Sequence, residues 1–186
     1  MAFAPVASVD ASALRWLRDG DRPLKFVLSA GERPIASLTW QKEAGSLATS
    51  ESSAGSWQLK RSGFLNPQIT VRPSGGTRPV ARLTVHLNYH AIEVVGGATY
   101  RFHRAGVLLP AWKVTGPDGA EVLHLEPVRE GRSLTGGAVL ASPGAATHPE
   151  FLLVVVLSWY FIVLAWFEDE ALIPFEGPAL SVAPQP

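Results

Sequence analysis

The sequence predicts an all-β protein with one helix: a barrel of about 12 strands, built from repeated hairpins, that encloses a hydrophobic helix at 151–167. Three observations support this fold class. Short segments alternate apolar and polar residues with a period of two, which is typical of strands with one buried face. Some of these segments recur at a regular distance along the chain. The segment 151–167 is uncharged and apolar on all sides, so as a helix it must be buried in protein or in lipid.

The composition sets broad limits on structure and function. The 186 residues suffice for one domain with a substantial core, and 47% of them are hydrophobic. The 16 basic and 16 acidic side chains cancel, so we expect no nucleic-acid partner. The chain has no cysteine, which excludes disulfides and thiol nucleophiles. Its first ten residues lack the basic and apolar stretches of a secretory signal, so we expect a cytoplasmic protein.

The strand-rich region repeats itself. The stretch 31–40 returns 45 positions later as 76–85, with glycine, arginine, proline, alanine, leucine and threonine in place. A second stretch, 57–67, aligns with 100–110 at a distance of 43 positions. A fainter third copy of the first stretch, 119–125, fits only if its inward positions slip by one residue. Periods of this length are typical of stacked or radially repeated β units.

Period-two alternation and glycine-containing turns place the strands. The turns are expected near Gly31, Gly75, Gly96 and Gly119. The segment 11–19 is compatible with a short helix or with a further strand. No helix is predicted between the strands, which indicates a barrel or sandwich. The predicted strands are 24–29, 34–40, 46–52, 56–62, 67–72, 79–87, 90–95, 98–104, 110–115, 120–127 and 133–141.

The apolar segment 151–167 fits a barrel core better than a membrane span. A span needs about 20 apolar residues to cross roughly 30 Å of hydrocarbon, and this run covers only about 25 Å as a helix. Trp159 and Tyr160 lie in its middle rather than at an interface, and no Lys or Arg flanks it. A barrel of more than eight strands leaves a lumen that a helix can fill. The expected core positions are Leu153, Val156, Trp159, Tyr160, Val163 and Trp166.

The chain is therefore divided into an N-terminal segment 1–22, a barrel with its central helix at 23–170, and a tail at 171–186. The alternative is a β-rich domain anchored as a single-pass membrane protein by a transmembrane helix at 151–167. In that case the strands would close without a helix inside them.

The layout of repeated hairpins through 24–141, followed by an apolar run that ends on Trp166-Phe167-Glu168-Asp169, resembles the tubby-like superfamily. That group includes the tubby C-terminal domain, the phospholipid scramblases and the LURP-one-related proteins. The resemblance implies a barrel around a hydrophobic C-terminal helix, and binding of anionic phospholipid by surface Lys and Arg. Scramblases carry an acidic calcium-binding stretch before the helix, whereas 142–149 contains no acid. Calcium-triggered scrambling is therefore not expected, and the tail 171–186 extends beyond the point where the family usually stops.

The candidate lipid-binding residues are two basic pairs at equivalent repeat positions, together with a neighbouring arginine. Charge-assisted contacts between such side chains and phosphate are the basis of anionic-lipid recognition. The alternative is that they form a solvated face of the strands. These residues are Lys60, Arg61, Arg101, His103 and Arg104.

Other polar residues receive simpler interpretations. On one strand His86 and His90 would lie about 13 Å apart, too far to share an ion unless a turn folds them together. We expect them to face outward, and we expect no metal and no cofactor. Glu168, Asp169 and Glu170 are expected to form a solvated helix exit, because acids at a helix C-terminus oppose its dipole.

No catalytic motif is recognisable, including the nucleophile elbow, the phosphate-binding loop and the dinucleotide fingerprint. We therefore predict no catalytic residues and a non-enzymatic binding or scaffold module, peripheral at membranes, with anionic phospholipid as its partner. Protein partners remain undetermined from the sequence. An enzyme or ligand-binding barrel that uses the histidines ranks below both other interpretations.

Overall fold

Twelve antiparallel strands form a closed barrel in a computed structural model of the chain. The structure describes residues 2–21, 23–42, 45–63, 67–105 and 111–172, and of residues 21 and 169–172 it describes the backbone alone. Each strand pairs with its neighbours in sequence, and the last strand pairs with the first. One helix follows the strands, so the predicted fold class is confirmed.

The strands are β1 (Leu14–Asp21), β2 (Leu24–Ala30), β3 (Arg33–Trp40), β4 (Leu47–Ser52), β5 (Gly55–Ser62), β6 (Gln68–Pro73), β7 (Ala81–Val85), β8 (His90–Val94), β9 (Thr99–Ala105), β10 (Ala111–Thr115), β11 (Glu121–Glu130) and β12 (Ser133–Ala141). The helix α1 spans Phe151–Leu172, and short 3-10 turns lie at Val6–Ser8, Ala11–Ala13 and Ala145–Thr147. Each of the predicted strands is present with bounds that differ by at most three residues.

The barrel begins earlier in the chain than the predicted boundary at residue 23. Of the segment left open between helix and strand, Ala11–Ala13 is a 3-10 turn and β1 starts at Leu14. This strand pairs with β2 on one side and with β12 on the other, so it closes the barrel. At the other terminus α1 continues to Leu172, and the remainder of the predicted tail 171–186 lies outside the described residues.

A four-strand unit occurs three times around the barrel, as β1–β4, β5–β8 and β9–β12. The repeated stretch 57–67 begins in β5, and its copy 100–110 begins in β9, four strands further on. A third copy, which the sequence analysis missed, lies 43 positions before the first, in β1. The corresponding residues are Leu14, Trp57 and Tyr100; Trp16, Leu59 and Phe102; and Arg18, Arg61 and Arg104.

The helix α1 lies inside the barrel, and residues 151–160 are all buried. Three consecutive aromatic residues, 159–161, point about 100° apart, and each contacts a different side of the barrel wall. The pairs and their ring-centroid separations are Trp159 with Trp16 of β1 (5.7 Å), Tyr160 with Trp40 of β3 (5.5 Å) and Phe161 with Phe102 of β9 (5.5 Å). A helix that contacts opposite sides of the wall must run through its centre.

Five of the six predicted core positions are buried: Leu153, Val156, Trp159, Tyr160 and Val163. The sixth, Trp166, is half-buried, and its indole N–H donates to the backbone oxygen of Arg132 at 3.2 Å. By length and composition the window Phe151–Glu168 could also cross a membrane, but 67% of it is buried inside the protein. In this structure the apolar surface of the helix packs against the barrel wall.

The two ends of the barrel differ in how they hold the helix. Where α1 starts, the helix-start end, the Glu150 carboxylate accepts hydrogen bonds from the Tyr100 hydroxyl at 3.0 Å and the Ala98 backbone N–H at 3.4 Å. Burial and this hydrogen bond raise the pKa of Tyr100 to about 12. Where α1 leaves, the helix-exit end, the buried Tyr160 hydroxyl donates to the backbone oxygen of Ser46. Hydrogen bonds therefore tie the start of the helix and its middle to the barrel.

Gly137 in β12 makes room for the central tryptophan of the helix. A Cβ at this position would lie 2.8 Å from the Trp159 ring and 2.7 Å from the backbone oxygen of Glu126. Both distances are shorter than a carbon atom tolerates, and the second contact is with rigid backbone. The close approach between the wall and the helix therefore requires glycine here.

The buried helix predicts that an acid at Val155 destroys the fold. Val155 is fully buried, and an unpaired polar group there costs about 4 kcal/mol or more. We expect Val155→Asp to abolish the cooperative thermal unfolding transition measured by circular dichroism. The matched control Phe167→Asp, at the exposed end of the helix, should retain it. If the helix were a membrane anchor instead, Val155→Asp would leave the β-sheet signal and its transition intact.

The glycine at 137 predicts a measurable steric coupling with the helix. Gly137→Ala should lower the free energy of unfolding by about 1–3 kcal/mol through overpacking. The ring atoms that Cβ would strike are absent from phenylalanine, so Trp159→Phe in the same background should recover part of this loss. Urea unfolding of the two single variants and the double variant measures the coupling. If the two substitutions change the free energy of unfolding additively, the contact with Trp159 is not the cause of the destabilisation by Gly137→Ala.

Candidate functional site

The most exposed large apolar side chain among the described residues lies at the helix-exit end, in the turn 86–89 between β7 and β8. Leu87 in this turn is 98% exposed, and Tyr89 is 39% exposed. The turn is ordered by a hydrogen bond from the His86 backbone N–H to the Tyr89 backbone oxygen (3.0 Å) and by stacking of their rings (4.9 Å). We call this segment the apolar turn. The turn is ordered, and it exposes the Leu87 side chain to solvent.

Basic side chains surround the same end of the barrel. The guanidinium of Arg101 lies 5.6 Å from the centre of the Tyr89 ring, within cation–π range. Two acids at this end are ion-paired, Asp19 with Lys25 at 2.5 Å and Glu168 with Arg61, while Glu130 is an exposed acid nearby. The exposed basic residues at this end are Lys42, Lys60, Arg104, Arg129 and Arg132. Cations therefore outnumber acids among the described side chains at the helix-exit end.

The structure does not gather the five predicted lipid-binding residues into one patch. Lys60 lies on the outer face of β5, whereas Arg61 belongs to the inward-facing row that contains Leu59. Arg101 and His103 lie on the outer face of β9. Arg104 belongs to the inward-facing row of this strand, which contains Phe102. The two strands are four positions apart in the barrel, which is roughly 19 Å along the sheet. Both basic pairs therefore lie at the helix-exit end of the barrel, but on different sides of the barrel.

The inward-facing rows of three strands end in arginine at the helix-exit end. These are Arg18 of β1, Arg61 of β5 and Arg104 of β9, which we call the arginine collar. Their strands are evenly spaced around the barrel, and the C-terminal end of α1 emerges between them. Arg18 was not predicted, although the third copy of the 43-residue repeat would have identified it.

The collar adds an ion pair to the predicted solvated helix exit. Glu168 is exposed but forms an ion pair with Arg61. Such an exposed pair stabilises the fold by at most about 1 kcal/mol. Cations near the C-terminal end of a helix also interact favourably with the negative end of its dipole. Asp169 and Glu170 have side chains outside the described part of the structure.

His90 faces inward, contrary to prediction. Its ring lies 4.4 Å from that of Phe161 and also contacts Phe102 and Trp112, and its Nδ1 is buried without a hydrogen-bond partner. Burial and the neighbouring His86 imidazole lower the pKa of His90 to about 4, so this ring is neutral at pH 7. Within the described residues, no group of three or more potential ligand side chains could hold a metal ion.

Two cavities flank α1 where it leaves the barrel. The exit pocket, of about 140 Å³, lies between α1 and strands β1, β2 and β12, with Arg18 and Arg132 among its lining residues. The exit slot, of about 110 Å³, lies between α1 and strands β6 and β7, and the paired side chains of Arg61 and Glu168 contribute to its lining. Both cavities combine apolar walls with charged groups.

Comparison of the chain with protein-family models, with curated proteins and with solved structures gave no match. The resemblance to the tubby-like superfamily therefore stays a prediction.

The environment of His90 predicts acid sensitivity. Its pKa of about 4 in the folded protein lies below the ordinary value of 6.5. Between these values the unfolded chain binds a proton that the folded protein does not, so stability falls as the pH drops from 6.5 to 4. One proton gives a slope of about 1.4 kcal/mol per pH unit, and we expect a fraction of it because the ring is half-buried.

Urea unfolding between pH 4 and pH 7 measures this effect. His90→Phe should flatten the pH dependence in the acidic range, because phenylalanine keeps the ring contacts and cannot be protonated. His103→Gln, on the outer face of β9, serves as the control and should leave the wild-type slope unchanged. A His90→Phe variant with the wild-type slope would contradict the assignment.

Proposed function

We propose that this protein is a non-enzymatic binding module whose helix-exit end docks on anionic phospholipid surfaces. The single observation that carries the proposal is the side chain of Leu87, 98% exposed in an ordered turn at the end of the barrel where cations outnumber acids among the described side chains. In the docked state the apolar turn enters the interfacial layer. The surrounding Lys and Arg side chains contact lipid phosphates.

The magnitudes support a weak, reversible association that requires both components. Burial of one leucine side chain contributes roughly 1.5–3 kcal/mol, and Tyr89 has the amphipathic ring that membrane interfaces favour. Each Lys or Arg close to an anionic leaflet adds about 1 kcal/mol. Neither the apolar turn nor the cations would give stable docking without the other. Binding should therefore depend on anionic lipid and weaken with salt.

Membership of the tubby-like superfamily is part of the same proposal. The closed barrel around a C-terminal helix agrees with the layout that the resemblance implies. The candidate residues Lys60, Arg101 and Arg104 keep their assigned role as phosphate contacts, with His103 beside them. Arg61 has a different role here, because it pairs with Glu168. The proposed location is cytoplasmic and peripheral at membranes.

Vesicle sedimentation tests the proposal. The full chain should bind vesicles of phosphatidylcholine with 30% phosphatidylserine about tenfold or more better than pure phosphatidylcholine vesicles, and 0.5 M salt should reverse this. Leu87→Ser should weaken binding about tenfold, which corresponds to roughly 1.4 kcal/mol. The double charge reversal Lys60→Glu with Arg104→Glu should weaken it at least as much.

Val95→Ser provides the matched control for the leucine variant. Val95 is 66% exposed and follows β8 at the helix-start end, so its loss should leave vesicle binding unchanged. Equal binding by all four proteins, or equal loss in the Leu87 and Val95 variants, would overturn the proposal.

A further inference from the structure

The exit pocket has a basic rim and an apolar floor. Arg18, Arg132 and Ser133 contribute the polar groups, and Phe26, Val163 and Trp166 line the apolar part. An opening that combines guanidinium groups, a hydroxyl and hydrocarbon walls matches a ligand with an anionic head and an apolar tail. A purely inorganic anion would leave the apolar walls in contact with water.

Its arginines are placed by contacts to the wall and the helix. Arg18 belongs to the inward-facing row of β1, and its Nη1 donates a long hydrogen bond (3.5 Å) to the backbone oxygen of Leu134 in β12. Arg132 lies in the turn before β12, and its backbone oxygen accepts the indole N–H of Trp166 at 3.2 Å. The backbone of Arg132 is therefore hydrogen-bonded to α1, and its side chain is exposed.

We propose that the exit pocket binds the phosphate group of a single anionic amphiphile, an inference that rests on the proposed function and deepens it. The phosphate contacts the guanidinium groups of Arg18 and Arg132, with Ser133 as a further donor. Guanidinium groups suit this role because they bind phosphate oxygens in a bidentate fork. The first methylene groups of the tail pack on Phe26 and Val163.

Size and position agree with this ligand. The volume of about 140 Å³ equals roughly five water volumes, enough for a phosphate and a few methylene groups but not for a whole acyl chain. Phe167, which lines the pocket, is 37% exposed. The tail can therefore leave past Phe167 toward the surface that we assign to the membrane. The exit slot is a poorer candidate, because one arginine lines it instead of two.

The experiment uses the full chain and short-chain lipids below their micelle concentration, so that no membrane surface is present. Dihexanoyl phosphatidic acid should bind saturably in isothermal titration calorimetry and change the fluorescence of Trp166. Dihexanoyl phosphatidylcholine should bind at least tenfold more weakly. Arg132→Gln should weaken phosphatidic acid binding at least tenfold. The control Arg72→Gln, at an exposed arginine of β6 near the helix-start end, should change it less than twofold.

Two further comparisons are needed. One distinguishes a lipid phosphate from free phosphate, and the other distinguishes the pocket from the membrane-docking proposal. Inorganic phosphate that binds as tightly as the lipid would overturn the amphiphile assignment and indicate a free-phosphate site. Absence of phosphatidic acid binding, or equal effects of the Arg132 and Arg72 variants, would overturn the pocket even where vesicles still bind through Leu87. Conversely, saturable Arg132-dependent binding without vesicle binding would support the pocket and refute the membrane-docking proposal.

Discussion

The structure depends on one packing constraint: twelve strands enclose more space than their own inward side chains can fill. Barrels wider than about eight strands keep a lumen unless something occupies it. Here α1 occupies it, and because the wall surrounds the helix, the helix must be apolar in every direction. The consecutive rings of Trp159, Tyr160 and Phe161 meet this demand, since each contacts a different side of the wall. Without the helix the inward rows of the strands would face an empty space.

The same constraint explains why polar chemistry gathers at one end. The helix is longer than the part of it that the wall buries, so it has to emerge, and its last described side chains are half-buried or exposed. Inward-facing rows that are apolar deeper in the barrel can end in charged residues there, as they do at Arg18, Arg61 and Arg104. A helix C-terminus carries partial negative charge, which cations complement. The three arginines of the collar thus complement the end of the helix that emerges between them.

Much of the fold could be predicted from the sequence, because period-two alternation and an uninterrupted apolar run are local signals. The strand β1 was left open because its inward row ends in Arg18, which breaks the expected alternation of apolar and polar residues. The site was harder to predict. Adjacent residues such as Lys60 and Arg61 point to opposite faces of a strand, so a basic pair in sequence is not a pair in space. His90 was expected outside because imidazole is polar, but its neutral ring packs among aromatic side chains.

The wall and the helix differ in symmetry, and this difference makes the three four-strand sectors of the barrel unequal. The wall repeats a four-strand unit three times, whereas a single helix has no such repeat and cannot present the same surface to each unit. Beside β9 the ring of Phe161 occupies the available space together with Trp112 and His90. Beside β1 and β6 the helix leaves cavities. Two equivalent arginines of the collar therefore line different cavities: Arg61 lines the exit slot and pairs with Glu168, and Arg18 lines the exit pocket together with Arg132. Under the proposed function the helix would set binding specificity, because it determines which of the three similar sectors keep a cavity.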